Sequence, residues 1–269
     1  MEIADSSFEN LVAALAELDE VEALAIGGSR GSDTYDEKSD YDLYVYVSRI
    51  PSKAVRRKLL EKFCSYMEIG NAFWELEDDC TLNNGIDIDI LYRNLDDFSH
   101  AIENVVDECN AYNGYTTCMW HNLLHSRILF DRNGRLKALQ EKYSIGYPED
   151  LRQAIISRNM RLLTGNLPSY DRQIAKAMER GDLVSVNHRL SAYLESYFDV
   201  LFALNRLTHP GEKRMKSYAL AHADLLPEHF EEDLQTLFDE LFSDMPKGLG
   251  VIVQMTQRLE ALVSQNSGK

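Results

Sequence analysis

Residues 25–47 read AIGGSRGSDTYDEKSDYDLYVYV, and this stretch decides the fold. An apolar run, VEALAI (21–26), leads into Gly27-Gly28-Ser29, and DLYVYV (42–47) follows. Both runs are short, rich in strand formers and bounded by turn residues, so each reads as a strand. Paired glycines let the backbone bend tightly and come close to a ligand, and the following N–H groups and the Ser29 hydroxyl suit phosphate oxygens. Asp40 and Asp42 are two apart, so along a strand both carboxylates point to one face. Like charges so close repel, and a divalent cation relieves them; Mg²⁺ is the default because it takes oxygen ligands and shares them with phosphates. A third carboxylate comes from GIDIDILY (85–92), where Asp87 and Asp89 are again two apart among isoleucines. Alone, Gly-Gly-Ser is an ordinary turn and Asp-x-Asp the wet face of an edge strand. Three such segments together supply what one metal–phosphate site needs.

Outward from this stretch, helices are expected over about 6–18, from Pro51 to about Tyr66 and over about 95–110. Further strands are expected at AFWEL (72–76) and SRILFD (126–131), with DDCTLNNG as a turn. After Tyr147-Pro148 the strand signal ends. Segments 149–164, 169–180, 182–206, 227–243 and 247–264 all carry helical spacing. The expected architecture is α+β: a domain over 1–146 with a mixed β-sheet flanked by helices, and an all-helical bundle domain over 147–269.

Composition limits the partners. The chain has 269 residues, 45% of them hydrophobic, enough to bury a sizeable core. Its formal charge of −16 argues against nucleic acid or an anionic membrane as a general partner, but leaves open a phosphate-bearing substrate held locally through metal ions. No run approaches the roughly 20 apolar residues of a membrane span. The acidic start lacks the order of a signal peptide, and Cys64, Cys80, Cys109 and Cys118 are scattered, so a cytoplasmic protein with reduced thiols is expected. His121 and His125 are four apart but lack the companions of a zinc site. Trp74 and Trp120 are read as packing residues first and as stacking surfaces for a base second.

The order Gly-Gly-Ser, then Ser39-Asp40-Tyr41-Asp42, then a later apolar-Asp-apolar strand resembles the nucleotidyltransferase superfamily of DNA polymerase β type. Within it the chain is similar to the small bacterial members that include the kanamycin and lincosamide adenylyltransferases, which pair a catalytic α/β domain with a helical one. The resemblance implies that Gly28 and Ser29 hold the nucleotide's phosphates, with Ser39 opening the second motif. It implies that Asp40, Asp42 and Asp89 are catalytic and ligate two Mg²⁺ ions, Asp87 being the competing choice for the third. Many members carry Arg-Gly where this chain has Ser32-Asp33; Arg30 stands earlier and is the substitute. LFALNRLTHPGEKR (201–214) also looks like a segment of bacterial relatives, and its Lys213 and Arg214 are the candidate cations for leaving pyrophosphate. The implied reaction is Mg²⁺-dependent transfer of a nucleoside monophosphate, AMP from ATP, to a hydroxyl of a small-molecule acceptor, antibiotics among the candidates. The alternatives are a non-catalytic nucleotide-binding or antitoxin-like module and a protein-modifying adenylyltransferase.

Overall fold

In strand β1 (Val21–Ile26), Val21, Ala23, Leu24, Ala25 and Ile26 are all buried, as the continuous apolar run of a strand covered on both faces requires. Around it the chain builds a six-stranded mixed sheet of order β3-β4-β5-β2-β1-β6. The other strands are β2 (Tyr41–Val47), β3 (Cys64–Asn71), β4 (Leu76–Leu82), β5 (Asp87–Asn94) and β6 (Arg127–Asp131). β2 and β5 run parallel, and the remaining neighbours are antiparallel. This computed structural model describes residues 6–28, 40–73, 75–165 and 167–266.

Alternation sorts the sheet into two faces. Tyr41, Leu43, Val45 and Val47 of β2, with Ile88, Ile90 and Tyr92 of β5, join the core under helix α1 (Ser6–Ala16) and the next helix, α2 (Lys53–Leu60). Phe8 of α1 stacks on Tyr41 with ring centroids 4.1 Å apart. Asp42, Tyr44 and Tyr46 therefore point to the other face, together with Asp89, Leu91 and Arg93. α3 (Leu95–Val106), α4 (Cys118–His125) and α5 (Arg135–Lys142) complete the helices before residue 146 among the described residues.

The segment between α2 and β5 corrects the sequence reading. α2 ends at Leu60, and two strands, β3 and β4, occupy 64–82 where a helix end, one strand at 72–76 and a turn were expected. The strands are hidden in the sequence because Asp78, an inward position of β4, is acidic yet buried; it pairs with Arg56 of α2.

From residue 149 the chain is helical: α6 (Glu149–Leu163), α7 (Tyr170–Glu179), α8 (Leu183–Leu204), α9 (Met215–His222), α10 (Phe230–Glu240) and α11 (Met245–Asn266). The short α9 was not foreseen. The chain divides into two units, Met1–Glu103 with Asn122–Ile145 and Asn104–His121 with Gly146–Lys269. The second unit thus takes a segment that the expected boundary at 146 left with the first. Asp199 of α8 explains this, since it accepts from Thr116 N at 3.1 Å and Thr116 Oγ1 at 2.7 Å. Asn159 of α6 reinforces the clamp by donating to Tyr112 O at 3.0 Å and to Asp199 Oδ2 at 3.1 Å. Among the described residues no helix is long and apolar enough to cross a membrane.

Burial pushes the Asp199 carboxyl up to about 7 against the opposing hydrogen bonds from Thr116 and Asn159. A carboxyl raised in the fold keeps a proton that the unfolded chain releases, so stability falls as pH rises from the ordinary aspartate range through about 7. Denaturant unfolding at pH 5, 6, 7 and 8 is expected to show this decline, at up to about 1.4 kcal/mol per pH unit. In Asp199→Asn the slope disappears, while overall stability drops because an amide N–H₂ now faces donors.

Candidate active site

Gly28 and Asp42 are built against each other. Gly27 N donates to Asp42 O at 3.0 Å, which closes β1 onto the start of β2. Gly28 has a φ of +59°, and a Cβ placed on it would sit 1.7 Å from Asp42 Oδ2. A glycine is needed there twice over, for the left-handed backbone and for the space the carboxylate occupies. Gly28→Ala is expected to displace the Asp42 carboxylate and to cost about 1–2 kcal/mol of stability, read by thermal unfolding.

Asp42 is in register with Asp89 across the parallel pair β2–β5. Register neighbours of a parallel pair project to the same face, so these two carboxylates stand side by side. Asp89 is also opposite Asp79 of β4, and Asp79 is opposite Glu68 of β3, so one row of acids crosses four strands. Glu68 takes hydrogen bonds from Tyr66 Oη at 2.7 Å and Asn71 Nδ2 at 3.1 Å, which hold its pKa low. Glu77, beside the row, is raised by partial burial and then by the charges of Asp79, Asp89 and Glu75. Asp87 is drawn toward β4 by a 2.7 Å hydrogen bond from Thr81 Oγ1. Register therefore favours Asp89 over Asp87 as the partner of Asp42.

Of the three expected carboxylates, the sheet sets Asp42 and Asp89 side by side. Asp40 is exposed and precedes β2, whose pairing with β5 begins at Tyr41, so the sheet does not fix its position. Among the described residues no three His, Cys, Asp or Glu side chains stand close enough to hold a metal ion. Ser29, Arg30, Ser39 and Trp74 lie outside the described residues. Lys213 and Arg214 are exposed in the helical unit just before α9, and Lys216 pairs with Glu231 at 3.0 Å. His121 Nδ1 meets Thr208 Oγ1 at 2.7 Å. Trp120 is 2% exposed and belongs to the core.

Sequence reasoning missed a polar cluster beneath the acid row. Arg93 is opposite Tyr46 in the β2–β5 register, and its side chain is 9% exposed. It grips Glu75 by Nε (3.0 Å) and Nη2 (2.8 Å) and donates from Nη1 to Asn122 Oδ1 at 2.7 Å. Its guanidinium lies 4.2 Å from the centroid of the Tyr44 ring. The trace in the sequence is a cation that alternates with Asp87 and Asp89 on one strand face, and its partners are distant in the chain.

Two family models cover most of the chain, and the first of them matches residues 9–112, the part that carries the glycine turn, Asp42 and Asp89, as a nucleotidyltransferase domain. This part of the chain is a nucleotidyltransferase domain. Residues 116–215 match a domain family of unknown function, DUF4037. No curated protein matches the chain. Among solved structures, a nucleotidyltransferase-like protein from Exiguobacterium sibiricum is 12% identical, with a TM-score of 0.43, over 96% of this chain and 74% of its own. An aminoglycoside 6-adenyltransferase from Bacillus subtilis is 11% identical, with a TM-score of 0.35, over 98% and 92%. A CCA-adding enzyme from Thermotoga maritima, complexed with tRNA, is 13% identical, with a TM-score of 0.30, over 99% and 83%. The identification of the nucleotidyltransferase domain rests on the 9–112 match and not on these structures.

Proposed function

We propose that the nucleotidyltransferase domain transfers AMP from ATP to a hydroxyl of a small-molecule acceptor, releasing pyrophosphate, with Mg²⁺ as cofactor and in the cytoplasm. The observation that carries this reading is the side-by-side placement of Asp42 and Asp89 next to the Gly28 bend. The donor set fits Mg²⁺: it prefers oxygen ligands and is usually held by one or two carboxylates, with water and substrate phosphates completing its shell. A ready cage of three protein groups is therefore not required. Asp42 and Asp89 would hold the metal, with Asp40 as the further ligand. When bound, Mg²⁺ neutralises charge on the triphosphate and on the departing pyrophosphate.

The chain's own residues supply the rest. Gly28, lacking a Cβ, lets phosphate oxygens approach the backbone N–H groups of the bend, and Ser29 and Arg30 continue that contact. Asp89 takes the proton of the acceptor hydroxyl as its oxygen bonds to the α-phosphorus. The bond from that phosphorus to the bridging oxygen breaks, and pyrophosphate leaves with the electron pair. Cys64, Cys80, Cys109 and Cys118, none of them in a disulfide, fit a reducing compartment.

Incubation with each α-labelled nucleoside triphosphate, Mg²⁺ and a library of hydroxylated acceptors tests this. Transfer of the label with pyrophosphate release is the expected result. Register fixes only two of the expected carboxylates, Asp42 and Asp89, and a second reading is a nucleotide-binding module without turnover. Tight, Mg²⁺-dependent nucleotide binding with no pyrophosphate from any triphosphate would establish that reading instead.

A further inference from the structure

Tyr44 follows Asp42 by two residues on the same strand face, and its ring lies against the glycine bend. A Cβ on Gly27 would meet Tyr44 Cε2 at 2.3 Å and the hydroxyl oxygen at 2.8 Å. Gly27 is also the residue whose N–H is bonded to Asp42 O, so the ring braces the backbone that joins the bend to the carboxylate. The ring is itself fixed from behind. Asn122 Nδ2 donates to the Tyr44 hydroxyl at 2.7 Å, Asn122 Oδ1 accepts from Arg93 Nη1 at 2.7 Å, and Arg93 Nε and Nη2 donate to Glu75.

We propose that Tyr44 is a positioning residue: held by Asn122 and Arg93, it sets the Gly27–Gly28 bend against Asp42, so that the backbone of the bend meets the nucleotide's phosphates beside the carboxylate that would hold their Mg²⁺. This rests on the nucleotidyl-transfer reading of the same site. A phosphate cradle contacts the triphosphate before and during reaction alike, so loosening it raises KM more than it lowers kcat.

The test uses the full chain with Tyr44→Phe, which keeps the ring but removes the acceptor of Asn122, with Asn122→Ala, and with the double variant. Two readouts are taken: steady-state kinetics with ATP and Mg²⁺, and amide hydrogen exchange of Gly27 and Ala25 without ligand. Each single variant is expected to raise the KM for ATP about tenfold with kcat within about threefold. The double variant should cost no more than the worse single one, because both remove the same bond. Gly27 exchange should quicken about tenfold while Ala25 stays protected. Wild-type KM and Gly27 exchange in both variants would overturn the proposal. So would a loss confined to Tm and kcat, with all β1 amides exchanging together, since that marks ordinary core support. A wild-type protein that neither binds nor turns over ATP overturns the underlying reading, and the inference with it, before any variant is made.

Discussion

Asp42→Asn is expected to lower nucleotidyl transfer on the order of a thousandfold or more, while leaving the domain at least as stable as the parent. The loss follows from what the carboxylate does. Asparagine has the same shape, so the contact with Gly28 and the backbone bond from Gly27 survive. It lacks the charge that holds a hard cation against the phosphates, and removing one preorganised charge at a reacting centre typically costs two to three or more orders of magnitude. Stability moves the other way. Asp42 and Asp89 are register neighbours, and in metal-free buffer their repulsion opposes folding, so neutralising one relieves up to about 1 kcal/mol. Thermal unfolding with and without Mg²⁺ and ATP separates the two effects. The parent should gain stability on addition of both, as any ligand bound only by the native state requires, and Asp42→Asn should gain little. Full activity in Asp42→Asn would remove the metal-carboxylate account altogether. Asp89→Asn should be equally inactive and Asp87→Asn nearly normal, because Thr81 already engages Asp87.

The site's central pair was legible because its signal is local. Asp42 and the Gly27–Gly28 bend lie within one stretch of 16 residues, and Asp89 lies in a run whose alternation is plain. The helical region was legible for a similar reason: of the stripe Leu183, Val186, Leu190, Tyr193, Leu194, Tyr197, Phe198 and Leu201 on α8, all are buried except the exposed Leu183 at the helix start and the half-buried Leu194. What escaped depends on partners far apart in sequence. Arg93, Glu75 and Asn122 form one cluster only after β4, β5 and α4 are in place. The segment 104–121 belongs with the helical unit through Thr116 and Tyr112, whose partners lie on α8 and α6. Asp40 is less constrained than Asp42 or Asp89: alternation puts it on the face of Asp42, but it stands outside the paired part of β2, where alternation has no force.

The other large expected effect is on stability. Asp78→Ala should destabilise the sheet unit by about 3–5 kcal/mol and lower its unfolding midpoint by about 10 °C or more. Asp78 is 0% and Arg56 2% exposed, so neither charge can fall back on water. Besides the ion pair with Arg56 Nη1, Asp78 Oδ1 accepts from Gly70 N at 2.8 Å. Arg56 in turn donates from Nε to Pro51 O at 3.2 Å and lies 4.8 Å from the Tyr92 ring centroid. Removing the carboxylate leaves a buried guanidinium and a backbone N–H without their acceptor, which costs far more than the pair contributes. The double change Arg56→Met with Asp78→Leu discriminates between these quantities. It removes both charges and fills the space with apolar side chains, so most of the lost stability should return. A double variant as unstable as Asp78→Ala would mean that the ion pair itself, rather than the orphaned arginine, sets the cost. A single variant within 1 kcal/mol of the parent, taken as about the value of an exposed pair, would mean that Asp78 is not buried as described. Activity should fall with stability in Asp78→Ala and recover with it in the double variant, because β4 carries Glu77 and Asp79 beside Asp89 but contributes no ligand of its own.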